Sequence, residues 1–163
     1  MKEQKSTRKK QGEWFFLPCD IYEVRIAMYI GDSNIYSKNG KKFISKHFDK
    51  NSKPILKDIN DLVNDKENNC GNWCMDCRYN NRQDIIIFLE EFNVSNLEDV
   101  GVFIHECTHA VFDILNFRNV IEQRNSNNEA AAYLMEYITK NFLDLIKKRK
   151  HKNESIHKDK ING

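Results

Sequence analysis

The apolar positions of the chain follow two periods, and the periods divide it into strands and helices. Trp14, Phe15, Phe16 and Leu17, and then Tyr22–Ile30, are dense in aromatic and β-branched residues, which favours strands. Turn residues at Gly31–Asn34 and Lys38–Gly40 bracket a short strand at Ile35 and Tyr36, with Lys42, Phe43 and Ile44 pairing back. Asp84–Leu89 is a short, unbroken apolar run, the pattern of a buried strand. Elsewhere the spacing is helical. Ile55, Leu56, Ile59, Leu62 and Val63 form one stripe behind Ser52 and Pro54, predicting a helix packed on the sheet. Leu97, Val100, Ile104, Val111, Phe112 and Leu115 follow a capping box at Ser95–Glu98. A last helix runs from about Asn128 to Lys148, burying Ala130, Leu134, Ile138, Leu145 and Ile146, with Lys147–Lys150 suited to its C-terminus. Residues 65–83 read as a polar loop. The predicted fold class is α+β: a small twisted, mostly antiparallel sheet packed against helices. The chain divides into a basic arm at 1–12, a single domain at 13–150 and a disordered polar tail at 151–163.

Composition narrows the picture little. With 163 residues, 40% hydrophobic and 31% charged, the chain is an ordinary globular domain with room for a core. A net charge of +2 does not by itself argue for nucleic acid. The basic N-terminus is followed by no long apolar run, so neither a signal peptide nor a membrane span is expected, and a cytoplasmic location is. Five cysteines, an odd count, fit a reducing compartment better than a disulfide framework.

The chemistry is concentrated in His105-Glu106-Cys107-Thr108-His109, inside the second predicted helix. Residues four apart on a helix are offset by only about 40°, so His105 and His109 point the same way and can reach one metal ion at about 2.0–2.1 Å each. Glu106, rotated by about 100°, can flank the ion and take a proton from its bound water. The competing reading is an amphipathic helix with two polar boundary residues. Against it, Glu129 opens the next helix. Residues 110–128 let the chain end one helix, turn and return a carboxylate. Two His and one Glu, with the fourth position left to water, make a catalytic rather than a structural zinc set.

The sequence from His105 to Asp113, followed after the gap by Asn128-Glu129-Ala130, resembles the active-site helices of the thermolysin-type gluzincins. The resemblance spans about residues 105–133 and implies a zincin-like fold, with His105, His109 and Glu129 as zinc ligands and Glu106 as general base. The implied activity is zinc-dependent peptide-bond hydrolysis on a protein or peptide substrate. It also implies a strand along the cleft whose free edge pairs with substrate; Ile86, Ile87 and Phe88 are the candidates, an internal core strand being the equal alternative. The family's acidic residue one turn after the glutamate ligand is here Tyr133. Its phenol could support the oxyanion, with Tyr137 and His151 as weaker candidates, although a solvated hydroxyl is the slightly favoured alternative. Asp113, one turn past His109, could orient a ligand imidazole or simply be solvated. Cys107 is expected to face the core.

Cys70, Cys74 and Cys77 are a second cluster, able to hold a structural zinc with Cys19 or His47 as the fourth ligand. Free thiols in a loop are the favoured alternative, because no second cysteine pair completes the set. Two other function classes remain beside the peptidase: a catalytically inactive zincin-fold binding module, and a nucleic-acid-associated factor using its basic termini, ranked last because Glu154 and Asp159 interrupt the charge run.

Overall fold

The computed structural model describes residues 12–31, 35, 37–64, 71–120 and 129–161, with side chains to residue 150. The fold is α+β: a four-stranded mixed sheet and, among the described residues, four α-helices. Strand β1 (Glu13–Cys19) runs antiparallel to β2 (Val24–Ile30), with Cys19 opposite Val24. Glu23 closes the connection in the left-handed region at φ 50°. Two helices follow, α1 (Lys38–His47) and α2 (Ser52–Asn64). Strand β3 (Trp73–Tyr79) then turns into β4 (Arg82–Leu89), which inserts parallel to β2 and gives the order β1-β2-β4-β3. Helix α3 (Leu97–Phe117) and helix α4 (Glu129–Ile161) complete the chain.

Alternation along the strands sends side chains to two cores. On one face Leu17, Val24, Ile26, Met28, Ile85, Ile87 and Leu89 meet Phe103, Cys107, Ala110 and Ile114 of α3 and Leu134, Ile138, Phe142 and Ile146 of α4. On the other face Ala27, Tyr29, Ile86 and Phe88 meet Ile44 of α1, Phe48 just after it, and Ile55 and Ile59 of α2. Beneath the second layer lies a buried polar network. Arg25 donates to both oxygens of the fully buried Asp84, at 2.7 and 2.8 Å. Asn51 adds a third donor to Asp84 at 3.0 Å and accepts from Asn80 in the β3–β4 turn.

Four expectations are corrected. Phe43 and Ile44 lie in α1, not in a strand. Ser37 caps that helix by accepting from the Gly40 amide, Phe43 stacks on Trp14 at 4.4 Å, and Ile44 is fully buried. Ile35 has helical and not strand backbone, and Tyr36 lies outside the described residues. The expected loop at 65–83 holds β3 and a two-residue turn. Asn80 and Asn81 take φ 53° and 60°, values asparagine tolerates, and a two-residue left-handed turn of this kind suits a hairpin. Ile86, Ile87 and Phe88 form no free edge: β4 has neighbours on both sides, and all three are buried. Among the described strands the outer positions belong to β1 and β3. The fourth correction concerns the tail, expected to be disordered from residue 151: α4 continues as helix to Ile161 instead of ending near Lys148.

Replacing Asp84 with alanine removes the two-pronged partner of a guanidinium whose side chain is 18% exposed, leaving it the longer contact to Asp49 and the His47 and Phe48 carbonyls. The expected loss is about 3–5 kcal/mol, as for other broken buried pairs, measured as a shift of the urea unfolding midpoint.

Candidate metal centre

Helix α3 starts one residue later than the capping box suggests. Asn96, not Ser95, is the cap, its side chain accepting from the Glu98 amide at 3.0 Å. Asp99 reinforces the start by accepting from the Asn93 amide at 2.7 Å and the Asn96 side chain at 2.9 Å. From this start the helix lays Phe103, Cys107, Ala110 and Ile114 on the sheet, which fixes its rotation. Cys107 faces the core, as expected, and is fully buried. His105 and His109 are left exposed on the outer side, and Glu106 lies at the boundary, 6% exposed.

The two imidazoles converge. Their Nε2 atoms are 3.0 Å apart, with ring planes at 84°. Two nitrogens bound to one tetrahedral zinc at 2.0–2.1 Å lie about 3.3 Å apart, so the pair fits two positions of one coordination sphere. His105 and Glu106 line a cleft of about 390 Å³ with Asn72, Gly101 and Val102. Asn72 is anchored at its mouth by accepting from the Glu90 amide at 2.9 Å. Burial pushes the Glu106 carboxyl above its ordinary pKa, while the nearby His105 and His109 pull it back. Asp113 is half-buried beside β3. Desolvation and the neighbouring Asp76 raise its pKa, against opposing pulls from Arg78 and His109. It therefore stands within electrostatic reach of His109, although its backbone carbonyl, not its carboxylate, carries the hydrogen bond from Gln83 at 2.9 Å.

Glu129 is not gathered with the pair. Among the described residues, no group of three or more His, Cys, Asp or Glu side chains is close enough to hold a metal ion. Glu129 is the exposed first residue of α4 and follows the stretch 121–128, which lies outside the described residues. Eight residues on, the Tyr137 hydroxyl donates to the Pro18 carbonyl at 2.8 Å, tying this part of α4 to the Cys19 end of the sheet. The cleft lies at the opposite end, where Asn72 precedes β3. Tyr137 is thereby committed to β1. Tyr133 is 68% exposed, the solvated alternative foreseen for it, and the His151 side chain is outside the described set.

The cysteine cluster does not form a structural metal site among the described residues. Cys74 and Cys77, three apart on β3, point to opposite faces: Cys74 packs toward α3 and Cys77 belongs to the other core. Cys19 faces the α3 side, while His47 stacks against Phe16 and Phe43 on the α1 side. Cys19, Cys74, Cys77 and Cys107 are all free, and Cys70 lies outside the described residues. Burial raises the pKa of each of the four thiols.

Sequence reasoning missed Asn72, Gly101 and Val102. Gly101 carried a signal, since a glycine one turn before the first histidine is a poor helix residue. Asn72 carried none, because its place depends on β3. Among the described residues no helix is long and apolar enough to cross a membrane. No family model, curated protein or solved structure matches the chain.

In the metal-free protein, Glu106→Gln is expected to out-melt the wild type by a margin that grows with pH. A carboxyl whose folded-state pKa lies above its ordinary 4.5 holds its proton longer when folded. Its contribution is therefore complete below pH 4.5 and lost as the pH rises through the folded value. Thermal melts of both proteins across a pH series in chelator check this.

Proposed function

We propose that the chain is a zinc-dependent peptidase with a zincin-like fold, acting on a protein or peptide substrate. The observation that carries the reading is the convergence of the His105 and His109 Nε2 atoms to 3.0 Å beside a buried glutamate at an open cleft. The gluzincin resemblance of residues 105–133 supports it and implies Glu129 as the third ligand, which among the described residues is not gathered with the pair. Zinc, when bound, would polarise the scissile carbonyl and acidify its bound water.

The chain's own residues do the rest. His105 and His109 would hold the ion through their converging Nε2 atoms. Glu106 is the base: its raised pKa brings it nearer the working range of a general acid–base group, able to take a proton and pass it to the leaving amine. Asp113 biases the His109 imidazole electrostatically from the next turn. The outer edge of β3, which begins beside Asn72 at the cleft mouth, offers main-chain groups to an extended peptide. The free thiols among the described cysteines support a reducing, cytoplasmic setting.

A second reading has one observation in its favour. Because Glu129 is not gathered with the histidine pair, the fold could serve as a zinc-poor binding module without hydrolysis.

Metal analysis of protein purified without chelator separates the two. The peptidase reading expects one equivalent of zinc, lost or loosened in His109→Ala and in Glu129→Ala. Glu106→Gln should keep its zinc while peptide cleavage falls by about 10²–10⁴-fold. Little or no zinc in the wild type, with no cleavage of a broad peptide mixture, would favour the binding module, and an active Gln variant would remove Glu106 from the mechanism.

A further inference from the structure

We propose that a second cavity, at the Cys19 end of the sheet, binds a small phosphorylated molecule that also carries hydroxyl groups. Arg82 and Arg118 take its phosphate, and Asp20 and Glu23 take its hydroxyls.

The cavity has a volume of about 360 Å³ and opens where the β1–β2 connection, the β3–β4 turn and the end of α3 meet. Arg25, Arg82, Arg118, Asp20, Glu23 and Asn81 give it a polar lining. It is remote from the histidine pair: Arg118 caps the C-terminal end of α3, nine residues past His109 and about 14 Å along the axis. Three guanidinium groups around one hollow repel each other unless anions offset them, so what each already holds decides what the cavity can take.

Arg25 is committed. Its donors go to both oxygens of Asp84 at 2.7 and 2.8 Å and to the His47 and Phe48 carbonyls. Arg118 is only partly committed. Its Nη2 donates to the Glu23 carbonyl at 3.3 Å and its Nη1 stands 3.6 Å from the Glu23 carboxylate. Both contacts are longer than a firm charge-assisted bond of about 2.8 Å. Its Nε is buried and has no acceptor, while the Phe117 ring lies 5.3 Å from the guanidinium carbon. A buried donor without an acceptor is costly, which makes it a place for a ligand oxygen. Arg82 is uncommitted: it is exposed, and its side chain makes no hydrogen bond or ion pair with another described residue. The rim is also held in unusual backbone. Glu23 and Asn81 are both left-handed, at φ 50° and 60°, and for a glutamate that conformation asks for a reason.

Two guanidinium groups with open donors suit phosphate better than carboxylate. A single fork fills the two oxygens of a carboxylate, whereas a phosphate has oxygens for both. The acids set the rest of the ligand. Asp20 and Glu23 repel a bare dianion, but each can accept from hydroxyl groups. The volume sits at the small end of ligand pockets, which run from about 300 to 1,000 Å³, and suits one sugar ring with its phosphate.

The test is calorimetric titration of the full chain in chelator, so that no metal at the histidine pair can take the phosphate. The probes are ribose 5-phosphate, inorganic phosphate and ribose. Wild type is expected to bind ribose 5-phosphate at least about ten-fold more tightly than either of the others. Arg82→Ala has no internal partner to lose; it should weaken that binding by about ten-fold or more, the scale of a hydrogen bond to a charged group, at an unchanged melting temperature. Glu23→Gln removes a repelling carboxylate and should tighten inorganic phosphate. No binding of ribose 5-phosphate at about 5 mM, or equal affinity in wild type and Arg82→Ala, overturns the assignment. So does inorganic phosphate binding as tightly as ribose 5-phosphate, which would leave the acids no part in recognition.

Discussion

The structure depends on one constraint: β2 and β4 lie side by side, parallel, and are apolar on both faces. Val24, Ile26, Met28, Ile85, Ile87 and Leu89 point one way, and Ala27, Tyr29, Ile86 and Phe88 the other. Such a pair must be covered on both sides. The crossover between its strands supplies α1 and α2 for one side, and the later part of the chain supplies α3 and α4 for the other. Helix α3 is thus first a cover, and its rotation is dictated by Phe103, Cys107, Ala110 and Ile114 meeting the sheet. A turn of about 100° per residue then leaves His105 in water and tucks Glu106 in at the boundary. The difference in environment between these neighbours, on which the proposed chemistry rests, follows from the packing of the residues beside them.

The polar network under the other layer plays a complementary part. Arg25, Asp84, Asn51 and Asn80 link β2, β4, the entry to α2 and the hairpin turn through three donors to one buried carboxylate and one amide contact beyond it. A fully buried carboxylate demands such partners, so their relative placement is fixed with little latitude. The parallel register of β2 and β4 places Arg25 opposite Asp84, so pairing and side-chain chemistry agree.

Much of this was legible in the sequence where periodicity was strong. The stripes from Ile55 and from Leu97 became α2 and α3, and Asp84–Leu89 became β4. The reading failed where pairing or capping, and not pattern, decides. Lys38–Gly40 looks like a turn, but a Ser37 cap and a tight fit of Gly40 under Ile35 make it the first turn of α1. Strand β3 is short of apolar residues and exists because its hairpin turn and β4 organise it. The run at Ile85–Leu89 announced burial but left an edge and a central place equally open; the pairing of β3 with β4 decides for the centre. In α3 the period was right but the face was partly wrong, since Leu97, Ile104 and Phe112 are exposed. The histidine pair was legible because four-residue spacing on one helix is local geometry. The relation of Glu129 to it is not local, because it depends on how α4 is docked, and docking is decided by contacts such as Tyr137 to Pro18.

The fully buried Gln83 has a mechanical consequence. Its side-chain amide donates at 2.9 Å both to Asp76 on β3 and to the Asp113 carbonyl on α3, so hairpin and helix are riveted at one point. Asp113 lies two helical turns beyond His105, about 12 Å along the axis. Together with the apolar contacts of Phe103, Cys107 and Ala110, that tie sets where α3 lies along the hairpin. The histidine pair is thus held between two polar fastenings of α3, the Asn96 cap at its start and the Gln83 tie near its end, and inherits its position from both.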